Sequence, residues 1–182
     1  VSKEVLKLEE GQITLNNEKA KAEVDFANAD KQLADARIQL DDAKDQLEEG
    51  LDELAQRRVS GTLEERLEKA KDNFDTTISP LNEQLEMLKS LLDSGIDMGE
   101  QGTEIIGRLI TYVEDRIAQA TRDFNKGYAA LDKGIKAYRK GEVEYERNVE
   151  ALANNKVLAA KEFEAAQNKI DNGYQEIADA DR

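Results

Sequence analysis

The chain has 182 residues and a net charge of −14; 36% of its residues are charged, 5% are aromatic, one is proline, and cysteine, histidine and tryptophan are absent. Disulfides and thiolate metal sites are therefore excluded, and the side chain most used as general base and metal ligand is missing. Duplex nucleic acid is excluded as a partner, because no basic stripe offsets the acidity. So little large apolar mass, spread evenly among charges, suits long helices with a narrow buried seam better than a thick globular core.

The first segment carries a sustained heptad. Phe26, Leu33, Leu40, Leu47 and Leu54 recur every seven residues, and Ala22, Ala29, Ala36, Ala43 and Gly50 form a second stripe four residues before each. Large residues at a with small residues at d predict a helix whose partner approaches closely, and they speak against a parallel zipper with leucine at d. Upstream the seam continues through Val5, Leu8 and Leu15, interrupted by Gln12 and Lys19. The register slips at Arg57-Arg58-Val59-Ser60-Gly61 and resumes with Leu63, Leu67, Ala70 and Phe74. A kink near 58–61 is expected there, with Thr62 and Glu65 spaced as a capping box.

Ser79-Pro80 has the look of an N-cap followed by proline at the first helical position. A short helix is predicted through Leu81, Leu85, Leu88 and Leu92, closing near Ser94-Gly95, with a glycine-rich loop up to Thr103. A last helix is predicted from there, with Ile110, Ile117, Phe124, Leu131, Tyr138, Tyr145 and Leu152 as one stripe, continued by Ala159, Ala166, Gly173 and Ala180. Gly127, Gly134 and Gly141 also repeat at seven. Each costs a helix interior about 1 kcal/mol against alanine, so the spacing points to close-approach positions.

The fold class is therefore expected to be all-α: a long antiparallel two-helix coiled-coil hairpin with a small helical tip. Residues 1–77 form one arm, 78–107 the tip and turn, and 108–182 the returning arm. Each arm is expected to reach about 110 Å at 1.5 Å per residue.

Paired carboxylates such as Asp41-Asp42 and Glu48-Glu49 suit a solvated helix face. Asp93-Ser-Gly-Ile-Asp97 lacks the twelve-residue alternation of a calcium loop, and Gly99 and Gly102 follow no strand that would make a phosphate loop. No catalytic, cofactor-binding or metal-binding residue is assigned, and the chain is expected not to be an enzyme. The candidate contact surface is Met87, Leu88, Leu91, Leu92, Ile96, Met98, Ile105 and Ile106, concentrated at the expected turn. Both methionines of the chain lie there, and such surfaces adapt to partners.

Two runs carry a family resemblance: Leu33-Ala-Asp-Ala-Arg-Ile-Gln-Leu-Asp-Asp-Ala-Lys-Asp-Gln-Leu-Glu-Glu-Gly50 and Gly127-Tyr-Ala-Ala-Leu-Asp-Lys-Gly134-Ile-Lys-Ala-Tyr-Arg-Lys-Gly141. The arms, though not the tip, resemble the extracytoplasmic coiled-coil insertions of FtsX-like (MacB-type) ABC transporter permeases of Gram-positive bacteria. The resemblance implies a stalk excised from the extracytoplasmic face of the cell membrane. Its two ends would join the remainder of the permease, and its tip would meet a protein, peptide or lipid. The glycine heptads also resemble extracellular segments of YhgE/Pip-type and RND-like (MMPL) membrane proteins. A soluble coiled-coil scaffold, and a homodimer, stay open at this point.

Overall fold

A computed structural model describes residues 2–182. Among them the chain is all-α, with helices α1 (Lys3–Ala55), α2 (Leu63–Asp93) and α3 (Gly99–Ala180) and no strand. It divides into two compact units: the stretch up to Leu40 with Gly141–Arg182, and Asp41–Lys140.

In the first unit the start of α1 packs on the end of α3. The contacts pair rising numbers on one helix with falling numbers on the other: Leu8 with Gly173, Gly11 with Ile170, Leu40 with Gly141. A Cβ at Gly173 would lie 2.7 Å from Leu8 Cδ2, and one at Gly141 would lie 3.0 Å from Leu40 Cδ2. The glycines thus make room for leucine side chains. Gln12, which interrupts the leucine stripe, is half-buried and makes a reciprocal amide pair with Gln167, at 3.0 and 2.8 Å. A polar pair inside an apolar seam favours one register, because any slip leaves both amides unpaired. Lys156 reaches Asp30 at 2.9 Å, and the Arg37 guanidinium sits 5.8 Å from the centre of the Tyr145 ring.

The second unit opens with the same complementarity. A Cβ at Gly134 would lie 2.8 Å from Leu47 Cδ2, one at Gly127 would lie 3.0 Å from Leu54 Cδ1, and one at Gly50 would lie 2.9 Å from Leu131 Cδ2. Large and small residues face each other in both directions across the seam. The evenly repeated glycines are therefore sockets, and the helix-propensity cost of each is set against a half-buried leucine, which gains part of the roughly 1.5–3 kcal/mol of full burial.

The expected kink is a complete break. α1 ends at Ala55, closed by Gln56 in a left-handed conformation (φ 55°) with Arg57 N–H donating to the Asp52 carbonyl. α2 begins at Thr62, whose hydroxyl accepts from Glu65 N–H while the Glu65 carboxylate accepts from Thr62 N–H, the capping box expected from the sequence. The chain does not carry on in the direction of α1 as a bent rod. Arg66 donates to the Glu48 carbonyl and Asn73 to the Ala55 carbonyl, both at a separation of 18 residues. In one continuous helix those groups would be about 27 Å apart. Between Gln56 and Thr62 the chain steps back, so that α2 starts beside the last turns of α1 and runs the same way.

Three helical segments consequently lie side by side, and here the core thickens. Leu51, Ala55, Leu63, Leu67, Ala70, Ile135 and Tyr138 are buried, whereas in the first unit only Leu15 is, among the described residues. Arg66 is 8% exposed within this core. It is held by Asp52 at 3.1 Å, by the Glu48 carbonyl at 3.1 Å and by the Glu48 carboxylate at 3.6 Å. Asp52 also accepts from Val59 N–H at 3.0 Å, so one carboxylate ties the loop to both helices. α2 pairs with α3 through Arg139, which grips Glu64 in a two-point fork at 2.8 and 3.0 Å, and through Phe74 and Phe124, stacked with centroids 4.2 Å apart.

Two further expectations are corrected. Ser79-Pro80 does not start a helix: Pro80 lies inside α2, so the boundary between 77 and 78 falls within one element. An internal proline costs about 3 kcal/mol, which the half-buried row of Ile78, Leu81, Leu85 and Leu88 offsets by continuing across it. The glycine-rich loop is also shorter, because α3 begins at Gly99 and leaves only residues 94–98 between the helices. Residues 78–107 are thus no separate small helical tip. They are the adjoining ends of α2 and α3.

Gly134→Leu is expected to lower stability by about 1–3 kcal/mol through overpacking, and a second change, Leu47→Ala, to recover part of the loss. Urea titration of the two single variants and the double variant measures this, and additive losses would show that the two residues do not meet. A second expectation concerns pH. The Arg139 fork, with a backbone hydrogen bond, holds the Glu64 carboxyl at about 2 against the usual 4.5, and Val59 N–H with Arg66 lowers that of Asp52. A depressed carboxyl contributes stability above its unfolded value that is lost as pH falls through the folded one. Glu64→Gln should therefore melt below the parent chain at pH 6, with the gap closing towards pH 2. A gap in melting temperature that ignores pH would contradict this.

Candidate contact surface at the loop end

The loop joining α2 and α3 is built from local hydrogen bonds. Ser94 caps α2, its N–H and hydroxyl both directed at the Leu91 carbonyl. Gly95 follows with φ +77°, a conformation that side chains with a Cβ rarely adopt. Asp97 accepts from Gly99 N–H at 3.0 Å, turning the chain into α3, and Met98 folds over Gly102.

The eight residues expected to form the contact surface separate into two groups. Leu88, Met98 and Ile106 are half-buried, Met98 against Gly102. Met87, Leu91, Leu92, Ile96 and Ile105 are exposed, Met87 at 72%, Ile96 at 61% and Ile105 at 56%. Packing the loop end on itself therefore absorbs part of the apolar cluster and leaves the rest facing solvent.

Sequence reasoning missed two members, Leu109 and Tyr112, which are also exposed. With Ile105 they fall at i, i+4 and i+7, one face of α3. The buried Val113 and the half-buried Ile106, Ile110 and Ile117 define the other face, and separating the two sets by period would have found the exposed one. Helical geometry places Met87 and Leu91 on the same flank of the α2–α3 pair as Ile105, Leu109 and Tyr112. The ion pair Lys89–Glu114, at 3.7 Å, lies on the opposite flank. Arg116 stands 5.7 Å from the centre of the Tyr112 ring and borders the apolar flank.

A shallow groove on α2 is lined by Glu83, Glu86, Met87 and Leu91, and a second hollow at the loop by Ile96, Asp97, Glu100 and Glu104. The apolar flank is thus edged with carboxylates. Among the described residues no group of three or more acidic side chains could hold a metal ion, and no helix is long and apolar enough to cross a membrane. Compared with protein-family models, curated proteins and solved structures, the chain matches none.

Because Met87 is so exposed, Met87→Asp should change stability by no more than about 0.5 kcal/mol and leave far-ultraviolet circular dichroism intact. Leu67→Asp puts an unpaired charge into the three-helix core and should unfold that unit. Equal loss of helicity in the two variants would show that Met87 is structural.

Proposed function

We propose that the chain is an antiparallel coiled-coil hairpin serving as a non-catalytic stalk on the extracytoplasmic face of a bacterial membrane. Its parent on this reading is an FtsX-like (MacB-type) ABC transporter permease. The observation that carries the reading is the leucine-to-glycine pairing with opposed numbering. Leu8 against Gly173 sets the first turns of α1 beside the last turns of α3, which suits a segment inserted between two successive membrane helices. α3 alone supplies 82 residues of helix, about 120 Å of axis at 1.5 Å per residue. Such a length serves reach. The exposed apolar flank at the loop end is the surface offered to a partner, and a stiff helix pair couples that surface mechanically to the membrane helices.

The parent protein tests this directly. Apolar spans of about 20 residues are expected close to both ends of the segment, with an ATP-hydrolysing subunit copurifying. A parent with the spans but without the ATPase would move the stalk to a YhgE/Pip-type or RND-like (MMPL) protein. A parent with neither would leave a soluble scaffold. Spin labels at Glu9 and Glu176 should lie close together in the monomer, and labels that meet only between chains would overturn the hairpin.

A further inference from the structure

We propose that the groove between α2 and α3 beyond the end of α1 is a docking site for a cationic amphipathic helix of a partner protein, lying where α1 would run had it continued.

The argument starts from what α1 covers. On α2, Arg66 and Asn73 reach α1, and Met87 falls two heptads after Asn73, on the same face. Leu91 falls three heptads after Ala70, which is buried in the three-helix core. On α3, Gly127 and Gly134 receive Leu54 and Leu47. Five full turns towards the loop, 18 residues on, Leu109 stands in line with Gly127 and Arg116 in line with Gly134. The face that binds α1 therefore continues past Ala55, where α1 stops.

Just past that end lies a cavity of about 480 Å³, lined by Leu54, Asn73, Phe74, Leu81, Arg116 and Phe124 among others. Beyond it the exposed Met87, Leu91, Leu109 and Tyr112 take over. From Thr77 to Asp93 the open track is about 24 Å long, room for some four helical turns. An established intramolecular helix site thus runs on into an uncovered apolar flank, an arrangement suited to helix-in-groove recognition.

Charge selects the occupant. The cavity at the end of α1 is itself lined by Glu53 and Asp123 as well as Arg116. On α2, Glu83 and Glu86 stand beside Met87 and Leu91, and at the loop Asp97, Glu100 and Glu104 line a hollow with Ile96. The nearby cations are engaged: Lys89 with Glu114, Arg108 with Glu104, and Arg116 against Tyr112. An anionic lipid surface is repelled by this rim. A helix with an apolar stripe flanked by lysine or arginine satisfies both the stripe and the rim.

The inference rests on the reading of the loop end as a contact surface, but not on membrane attachment. Its test uses the full chain and two labelled 18-residue amphipathic probes, one of leucine and lysine, the other of leucine and glutamate, followed by fluorescence anisotropy. The Leu/Lys probe is expected to bind and the Leu/Glu probe not to. Met87→Gln with Leu91→Gln, which leaves the charge unchanged, should weaken binding at least tenfold. Val24→Gln with Val157→Gln, exposed elsewhere, should leave it unaltered. Circular dichroism verifies that both variants are folded. Binding that ignores the Met87 and Leu91 substitutions reflects diffuse charge and overturns the proposal, as does absence of binding. A free chain that sediments as a dimer and is dissociated by those substitutions would assign the groove to a second copy and overturn it equally. None of these failures touches the flanking-span test of the stalk.

Discussion

The structure depends on how closely two helical backbones approach. With 5% aromatic residues and many alanines, the seam holds too little large apolar mass to fill an ordinary interhelical gap. The gap is narrowed instead. Leu8, Leu40, Leu47 and Leu54 of α1 each stand against a glycine of α3, and at Gly50 the roles reverse to admit Leu131. Each glycine gives up about 1 kcal/mol of helix propensity, and the half-buried leucine it admits offsets this by partly leaving water. The arrangement is self-checking: a slip of half a heptad, three or four residues, would set large residues against large and small against small. In the first unit the Gln12–Gln167 pair adds a polar constraint on the same register.

The step back between Gln56 and Thr62 solves a different problem. A two-helix seam exposes most of each helix and buries few side chains completely. Laying α2 beside the end of α1 adds a third surface, and the buried residues gather there. The reversal has to be held, and Asp52 holds it. Its carboxylate takes Val59 N–H from the loop and the Arg66 guanidinium from α2, while lying on α1 itself. Arg66 is costly to bury, and its Nε has no hydrogen-bond partner. What it secures is position: the offset of 18 residues between α1 and α2 rests on its bond to Glu48 and on that of Asn73 to Ala55.

Much of this was legible in the residues. The heptads of Leu33 to Leu54 and of Leu131 to Leu152 announced long helices, the spacing of Gly127, Gly134 and Gly141 announced close approach, and Thr62 with Glu65 announced a helix start. The step back was not legible, because Leu63, Leu67 and Ala70 continue an apolar pattern that serves a helix running onward and one shifted back equally well. Periodicity records which face is buried, not what lies against it. Pro80 misled for a related reason: its local preference is for a first turn, and tertiary packing of Leu81 and Leu85 overrode it. The candidate surface was found by composition, which located Met87, Leu91 and Ile96. Composition could not separate Ile106, half-buried on the inner face, from Ile105, which faces solvent. Nor did it point to Leu109 and Tyr112, which sit within a helix that looked like arm.

The step back and the exposed flank are connected. Had α1 continued as one bent helix into α2, the chain would hold two helices throughout and no face would lack a neighbour for want of chain. Because α1 ends at Ala55 while α2 and α3 run on together to the loop, the three-helix arrangement is left incomplete over the last turns. The side chains there match that position. Met87 and Leu91 occupy heptad positions that are covered at Asn73 and Ala70, yet they are apolar and uncovered. Exposed apolar side chains also occur singly along the long helices, Val24 and Val157 among them, but here Met87, Leu91, Leu109 and Tyr112 gather on one flank. Placing methionine and leucine there costs solubility unless something covers them, and the acidic edge restricts what that something is. The loop end is thus the one part of the second unit where the local pattern asks for a helix that the chain itself does not supply.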